Sequence, residues 1–113
     1  MNLTTDRTHG IPIVRVKETR LIYPLLSEFS TAVAGLIAAG EKRLVIDLTT
    51  VGYVDSATIG CLMDLYRQAS AAGATLKLAG VQKRVETMLT MTGAQNFLEV
   101  HADEQTALRS FGG

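Results

Sequence analysis

The segment at residues 53–60 holds the side chains best placed for chemistry, since Asp55, Ser56 and Thr58 follow one another closely there. They lie where a buried strand gives way to an amphipathic helix, so they crowd the start of that helix. There, Asp55 or Ser56 can accept hydrogen bonds from free backbone amides and stabilise the helix by about 1 kcal/mol. The same amides, together with the positive end of the helix dipole, also favour a phosphate group on Ser56. The segment is consistent with helix capping alone and with a phosphorylation site.

Other side chains that commonly do chemistry are poorly arranged for it. Nucleophilic hydrolysis requires a base beside the nucleophile, but His9 and His101 stand in no recognisable motif. One cysteine and two distant histidines do not give the ligand spacing of a zinc site, and we interpret Cys61 as a small buried hydrophobic residue. Neither the phosphate-binding loop nor the dinucleotide fingerprint is present. We therefore expect a protein that is not an enzyme, with no cofactor and no metal.

Acidic residues do not form a convincing pair either. Asp47 lies inside an extended apolar run, and Asp55 follows several residues later, which gives little support to a shared acid–base site. Aspartyl phosphorylation of the receiver-domain kind requires adjacent acids after the first strand to hold magnesium, whereas residues 16–19 read Val, Lys, Glu, Thr.

Length and composition indicate one globular domain over residues 1–113. Hydrophobic residues make up 47% of the chain and charged residues 19%, which is an ordinary balance for a folded domain. Eleven basic and eleven acidic residues give no net charge, which disfavours nucleic acid and anionic membrane surfaces as direct partners. The apolar runs are too short for a membrane span, and no secretory leader is recognisable. These features predict a cytoplasmic protein.

The chemically interesting segment lies between two elements of an alternating pattern. Strands are predicted where β-branched and apolar residues cluster: at residues 3–7, 11–16 and 44–48, at Leu76 and Leu78, and at residues 97–100. Helices are predicted where apolar residues recur at steps of three and four: from Pro24 to Gly40, after Asp55 to Gly73, around Val85, Met88 and Leu89 to Gly93, and from the Asp103 cap to Arg109. The class is α/β, with a mixed, mostly parallel sheet packed against about four helices.

The run Asp55, Ser56, Ala57, Thr58, Ile59, Gly60 resembles the signature of the STAS domain family, specifically the bacterial anti-sigma factor antagonists. The resemblance extends over about residues 11–111, through the strand that ends at Asp47 and Leu48 and the helix end at residues 88–93. It implies that Ser56 is phosphorylated by a partner kinase that is also the anti-sigma factor.

The resemblance also implies a function and a set of contacts. Unphosphorylated, the chain would bind the anti-sigma factor serine kinase and free a sigma factor; phosphorylated, it would release the kinase, and a PP2C-type phosphatase would reset it. The implied partner-binding residues are Asp55, Ala57, Thr58, Ile59 and Tyr23. Two alternatives keep the fold: a structural subunit of a lipid-transport ATPase complex, and a signalling scaffold. The oligomeric state is left open.

Two positions depart from the family pattern. Thr58 stands where the family usually has glycine, and we expect its branched side chain to narrow kinase access to Ser56. The glycine, glutamate, apolar, aspartate motif that often follows the second strand is replaced by Glu, Thr, Arg and Leu at residues 18–21. Partner contacts that the family makes there are therefore not expected to transfer unchanged.

Overall fold

In the computed structural model, which describes residues 1–112, the chain begins with a β-hairpin. Strand β1 (Leu3–Thr8) pairs antiparallel with β2 (Ile11–Val16). The two connecting residues, His9 and Gly10, have φ angles of 53° and 77°. Positive φ at both central residues is what a type I′ turn requires, and its twist matches that of the two strands. The hairpin predicted from the β-branched residues is confirmed.

Five strands form the main sheet. Besides β1 and β2 they are β4 (Arg43–Asp47), β6 (Thr75–Ala79) and β7 (Glu99–His101). Two short strands, β3 (Arg20–Leu21) and β5 (Tyr53–Val54), lie outside this sheet. The strand order is β1-β2-β4-β6-β7, and every pairing except that of the hairpin is parallel. The predicted mixed, mostly parallel sheet is confirmed, with β4 as its central strand.

Four helices cover the two faces of this sheet unequally. They are α1 (Leu26–Ala38), α2 (Ser56–Ala71), α3 (Lys83–Thr92) and α4 (Glu104–Arg109). The first three helices contribute Phe29, Leu62 and Leu89 to the large core on one face. On the other face, α4 reaches a smaller apolar cluster through the buried Ala107 and the partly buried Leu108. The predicted cap of α4 is confirmed, because Asp103 accepts a 2.8 Å hydrogen bond from the Thr106 amide.

Two predicted elements are displaced. Pro24 lies in a 3₁₀ turn (Tyr23–Leu25) rather than in the first turn of the α-helix. The last strand was predicted at residues 97–100, but Gly93 ends α3 with a φ of 77° and a second 3₁₀ turn (Ala94–Asn96) follows. Because that turn occupies residues 94–96, the strand begins only at Glu99, and Phe97 before it is exposed.

A second, two-stranded sheet was not predicted. Strand β3 pairs parallel with β5, which places Arg20 beside Tyr53 and Leu21 beside Val54. Each strand has two residues, too few to show an alternating pattern in the sequence. This small sheet joins the segment before α1 to the segment before α2 and so fixes where both helices begin.

Candidate functional site

Asp55 is the residue that organises the start of α2. It is the N-cap, and its Oδ1 accepts a 3.0 Å hydrogen bond from the backbone amide of Thr58. Its Oδ2 accepts another of 3.0 Å from the backbone amide of Tyr23, at the beginning of the 3₁₀ turn before α1. One carboxylate thus satisfies donors on two segments that are 32 residues apart.

Hydrogen bonding also sets the charge state of this carboxylate. Partial burial by itself would raise the pKa of Asp55, but the amide of Tyr23 and the hydroxyl and amide of Thr58 lower it by more. The net effect is a pKa below its ordinary value of 3.8, because donors favour the ionised form. Asp55 is therefore a fixed negative charge at the start of α2.

Thr58 lies beneath the surface of the site. Its side chain is fully buried, and its Oγ1 lies 2.7 Å from the carbonyl oxygen of Leu21 and 2.8 Å from Oδ1 of Asp55. One hydroxyl proton can be donated to either oxygen. The branched side chain of Thr58 thus points into the protein rather than over Ser56. The expectation that Thr58 narrows kinase access to Ser56 stays a prediction.

Ser56 is the first residue of α2 and is exposed, as is Ala57 after it. Ile59 is buried in the main core, so the residues predicted for partner contact divide into an outer and an inner set. On the outside, Tyr23 is 73% exposed and Tyr53 is 37% exposed. We call the exposed set formed by Tyr23, Tyr53, Ser56 and Ala57 the α2-start surface.

The small second sheet supports this surface. The backbone amide of Gly52 donates a 2.8 Å hydrogen bond to the carbonyl oxygen of Thr19. The guanidinium carbon of Arg20 lies 5.0 Å from the centre of the Tyr53 ring, which adds a cation–π contact. Arg20, in the segment that departs from the family motif, thus places a positive charge against the Tyr53 ring near the helix start.

The free helix amides give this surface its chemistry. The first amides of an α-helix have no intrahelical partner. Asp55 satisfies that of Thr58, and the amides of Ser56 and Ala57 have no hydrogen-bond partner within residues 1–112. Oriented amides and the helix dipole favour an anion at this position. A phosphate on the Ser56 hydroxyl would meet them, although the neighbouring Asp55 carboxylate would repel it.

The histidines and the cysteine lie apart from this surface. His9 is in the hairpin turn, and Nε2 of His101 lies 2.6 Å from a carboxylate oxygen of Glu99. Cys61 is half-buried against the main core, and this burial raises the pKa of its thiol. Within residues 1–112, no three His, Cys, Asp or Glu side chains come together in a group that could hold a metal ion.

None of the helices in residues 1–112 combines the length and the apolar character needed to cross a bilayer.

The sequence as a whole matches a known domain family. The family model described as "STAS domain" matches residues 2–107. Among solved structures, an anti-sigma factor antagonist from Mycobacterium paratuberculosis superposes with a TM-score of 0.88 at 16% identity, covering 99% of this chain and 94% of that chain.

Two further structures share the fold. SpoIIAA from Bacillus, described as a cell fate determinant in the phosphorylated form, matches with a TM-score of 0.75 at 13% identity, over 97% of this chain and 99% of that chain. A murine anion transporter of Solute Carrier family 26 matches with a TM-score of 0.74 at 20% identity, over 88% of this chain but 17% of the transporter. At these identities, the likeness establishes the fold alone.

Proposed function

This chain belongs to the STAS domain family, and from that membership we propose that it is an anti-sigma factor antagonist that works by partner switching. In its unphosphorylated form it binds an anti-sigma factor serine kinase through the α2-start surface. Phosphorylation of Ser56 by that kinase ends the interaction, and a PP2C-type phosphatase restores it. The chain acts as a cytoplasmic binding protein with no catalytic activity of its own.

The position of Ser56 is the observation that carries this proposal. It is exposed at the first position of α2, directly after a cap residue whose carboxylate is already bound to two backbone amides. The hydroxyl is therefore accessible to a kinase, while the capping role belongs to Asp55. The structure of SpoIIAA in its phosphorylated form supports the idea that this fold accommodates a phosphate.

Phosphorylation would change the surface more than the fold. A phosphate adds a charge of about −1.5 to −2 next to the ionised Asp55 carboxylate. The added charge and its hydration shell would oppose close contact by a partner that docks on the neighbouring Tyr23 and Ala57. Thr58 and Ile59 are buried, so their contribution to partner binding is to hold the helix start in position from below.

The direct test is phosphorylation of the purified chain by anti-sigma serine kinases of the host, with labelled ATP and phosphosite mass spectrometry. Wild type should be labelled on Ser56, and Ser56→Ala should not be labelled. Ser27→Ala is a matched control, because Ser27 is also an exposed serine in the first turn of a helix but has leucine before it. Label that persists in Ser56→Ala would refute the assignment.

A second test identifies the partner class. Wild-type chain used as bait in a host extract should capture a serine kinase of the anti-sigma type, and Ser56→Asp should capture much less of it. Capture of a membrane transport complex, equally by both forms, would instead favour the transport-subunit alternative. The alternative is supported by the occurrence of the same fold as part of an anion transporter. Capture of several signalling proteins regardless of Ser56 would favour a scaffold.

A further inference from the structure

A cavity lies on the side of the sheet opposite the main core. Its volume is about 690 Å³, and its walls come from the hairpin turn, the beginning of β4, and α4 with the segment after it. Ile11, Leu108 and Phe111 supply its apolar floor, and His9, Arg43 and Arg109 are among its polar lining residues. It is formed by other residues than the α2-start surface.

The cavity exists because this face of the sheet has little cover. Helix α4 has six residues and packs across β4, β6 and β7. A six-residue helix is only about 9 Å long and cannot extend over the hairpin as well. Ile11 belongs to the smaller apolar cluster on this side, whose members are buried and against which the partly buried Leu108 and Phe111 pack.

Contacts on either side of α4 hold the cavity open. Glu104 forms two hydrogen bonds with the guanidinium of Arg15, of 2.7 and 2.9 Å. Beyond the helix, Nζ of the buried Lys77 lies 2.6 Å from Oγ of Ser110 and 4.2 Å from the centre of the Phe111 ring. These contacts fix the position of α4 and of Phe111, so the cavity is a preformed feature of the fold.

The cavity carries uncommitted positive charge. Within the described residues, neither Arg43 nor Arg109 forms an ion pair, and neither guanidinium makes a hydrogen bond. Two carboxylates interact electrostatically with these arginines at longer range, Asp103 with Arg109 and Glu41 with Arg43. Glu41 is itself paired with Arg7 at 2.7 Å. The acidic lining residue Glu104 is likewise paired with an arginine, Arg15, which also pairs with Asp6.

We propose that this cavity is a binding site for a small amphipathic organic carboxylate, with its carboxylate held by Arg43 and Arg109 and its apolar body on Ile11, Leu108 and Phe111. A planar guanidinium matches a carboxylate with two parallel hydrogen bonds. The volume lies within the range of about 300–1,000 Å³ that is usual for small-molecule sites. An apolar floor with a few polar lining groups is the typical composition of such sites.

The test titrates the isotope-labelled chain with three probes and measures binding from the NMR chemical shifts of the backbone amides. Octanoate carries both features, octanamide lacks the charge, and butyrate lacks most of the apolar body. Octanoate should produce saturable shifts at residues 8–11, 43 and 104–111. Octanamide and butyrate should each bind about tenfold more weakly or worse, because one of the two interactions is lost.

Variants then assign the carboxylate contact. Arg43→Gln and Arg109→Gln should each weaken octanoate binding about tenfold. Because both variants are measured, a local folding defect in one of them would not decide the result. Arg84→Gln is the control, because Arg84 is an exposed arginine on α3, outside the cavity. It should leave the octanoate affinity unchanged.

Several results would overturn the proposal. These are an absence of saturable shifts, saturable shifts confined to other residues, equal affinity for octanoate and octanamide, and equal weakening by Arg84→Gln. Shifts at the cavity residues that follow protein concentration without any probe would assign this face to self-association instead. None of these results depends on phosphorylation of Ser56, so the cavity can fail while the proposed function stands.

Discussion

The carboxylate of Asp55 and the backbone amide of Tyr23 are joined by a 3.0 Å hydrogen bond. The same carboxylate caps α2 through the amide of Thr58, so one side chain fixes the start of α2 relative to the segment that leads into α1. The α2-start surface depends on this link, because Tyr23 and Ser56 lie on opposite sides of it. Ordinary helix capping would need only the contact with Thr58.

We predict that Asp55→Ala lowers the free energy of unfolding by about 1–2 kcal/mol, since it removes the cap and leaves the Tyr23 amide without its acceptor. Asp55→Asn should lose less, because its amide oxygen can still cap α2 while its NH₂ group faces the Tyr23 amide. Urea unfolding of both variants measures the difference. Asp64→Ala, an exposed aspartate on the same helix, is the control and should change the free energy by less than about 0.5 kcal/mol. Equal losses for Asp55→Ala and Asp64→Ala would contradict the dual role.

The Asp55 contribution should depend on pH in a defined direction. Its pKa is lowered in the folded protein, so the contribution is present at pH values above the ordinary 3.8 and is lost as the pH falls through the lower folded pKa. The difference in unfolding free energy between wild type and Asp55→Ala should therefore shrink only below about pH 4. Urea midpoints measured over an acid series test this. Asp55→Asn and Asp55→Ala have no ionisable group at this position, so the difference between their unfolding free energies should stay constant over the same pH series.

Elements with strong periodic patterns could be predicted from the sequence. Strand β2, the central strand β4, the capped ends of α2 and α4 and the end of α3 at Gly93 follow from patterns within a few residues. The Asp55–Ser56 pair at a helix start could also be predicted, because a capping signature is local. The burial of single residues is less certain from the pattern: on α2, Leu65 is fully buried, whereas Tyr66 is only half-buried beside Phe97.

Contacts between distant segments could not be predicted. Thr58 binds the carbonyl oxygen of Leu21, which is 37 residues earlier, and nothing near either residue indicates that pairing. The same holds for the two-residue strands β3 and β5, whose pairing comes from tertiary packing rather than from strand propensity. The family pattern placed Ser56 correctly at the helix start, but the inward direction of the Thr58 side chain follows from its contact with Leu21, which the sequence does not show.

A matched pair of glycine variants tests the geometry at the carboxyl end of β6. Gly80 has a φ of +71°, and a Cβ there would collide with the side chain of Thr49. Gly80→Ala should therefore lower the free energy of unfolding by about 1–3 kcal/mol. Gly35 lies in α1 with open space around it, so Gly35→Ala should stabilise the protein by up to about 1 kcal/mol. Thermal or urea unfolding of both variants should give opposite signs, and the same sign would contradict the backbone assignment.

Ser56→Asp should separate docking from folding. Because Ser56 is exposed, the variant should change the free energy of unfolding by less than about 0.5 kcal/mol and leave the far-ultraviolet circular dichroism unaltered. Its affinity for the anti-sigma kinase, measured by titration calorimetry, should fall about tenfold or more. Ser56→Ala should keep the wild-type affinity. Equal affinity of wild type and Ser56→Asp would refute the switch.

Variants at Thr58 distinguish a structural role of its hydroxyl from a role of its side chain in kinase access. Thr58→Val keeps the shape but removes the hydroxyl, which leaves the buried carbonyl oxygen of Leu21 without that donor and should cost about 1–3 kcal/mol of unfolding free energy. Thr58→Ser keeps the hydroxyl and loses only a methyl group, so its cost should be about 1 kcal/mol. Urea unfolding measures both values.

The same variants decide what Thr58 does for phosphorylation. Because the side chain points inward, Thr58→Ser should leave the initial rate at Ser56 unchanged in the native kinase assay, even though the residue becomes smaller. Thr58→Val removes only the hydroxyl, whereas Thr58→Gly removes the hydroxyl and also weakens the first turn of α2. A gain in rate that is present in Thr58→Val and larger in Thr58→Gly would therefore be attributed to a loosened helix start. A faster rate in Thr58→Ser and Thr58→Gly but not in Thr58→Val would show that the bulk of the side chain restricts the kinase after all.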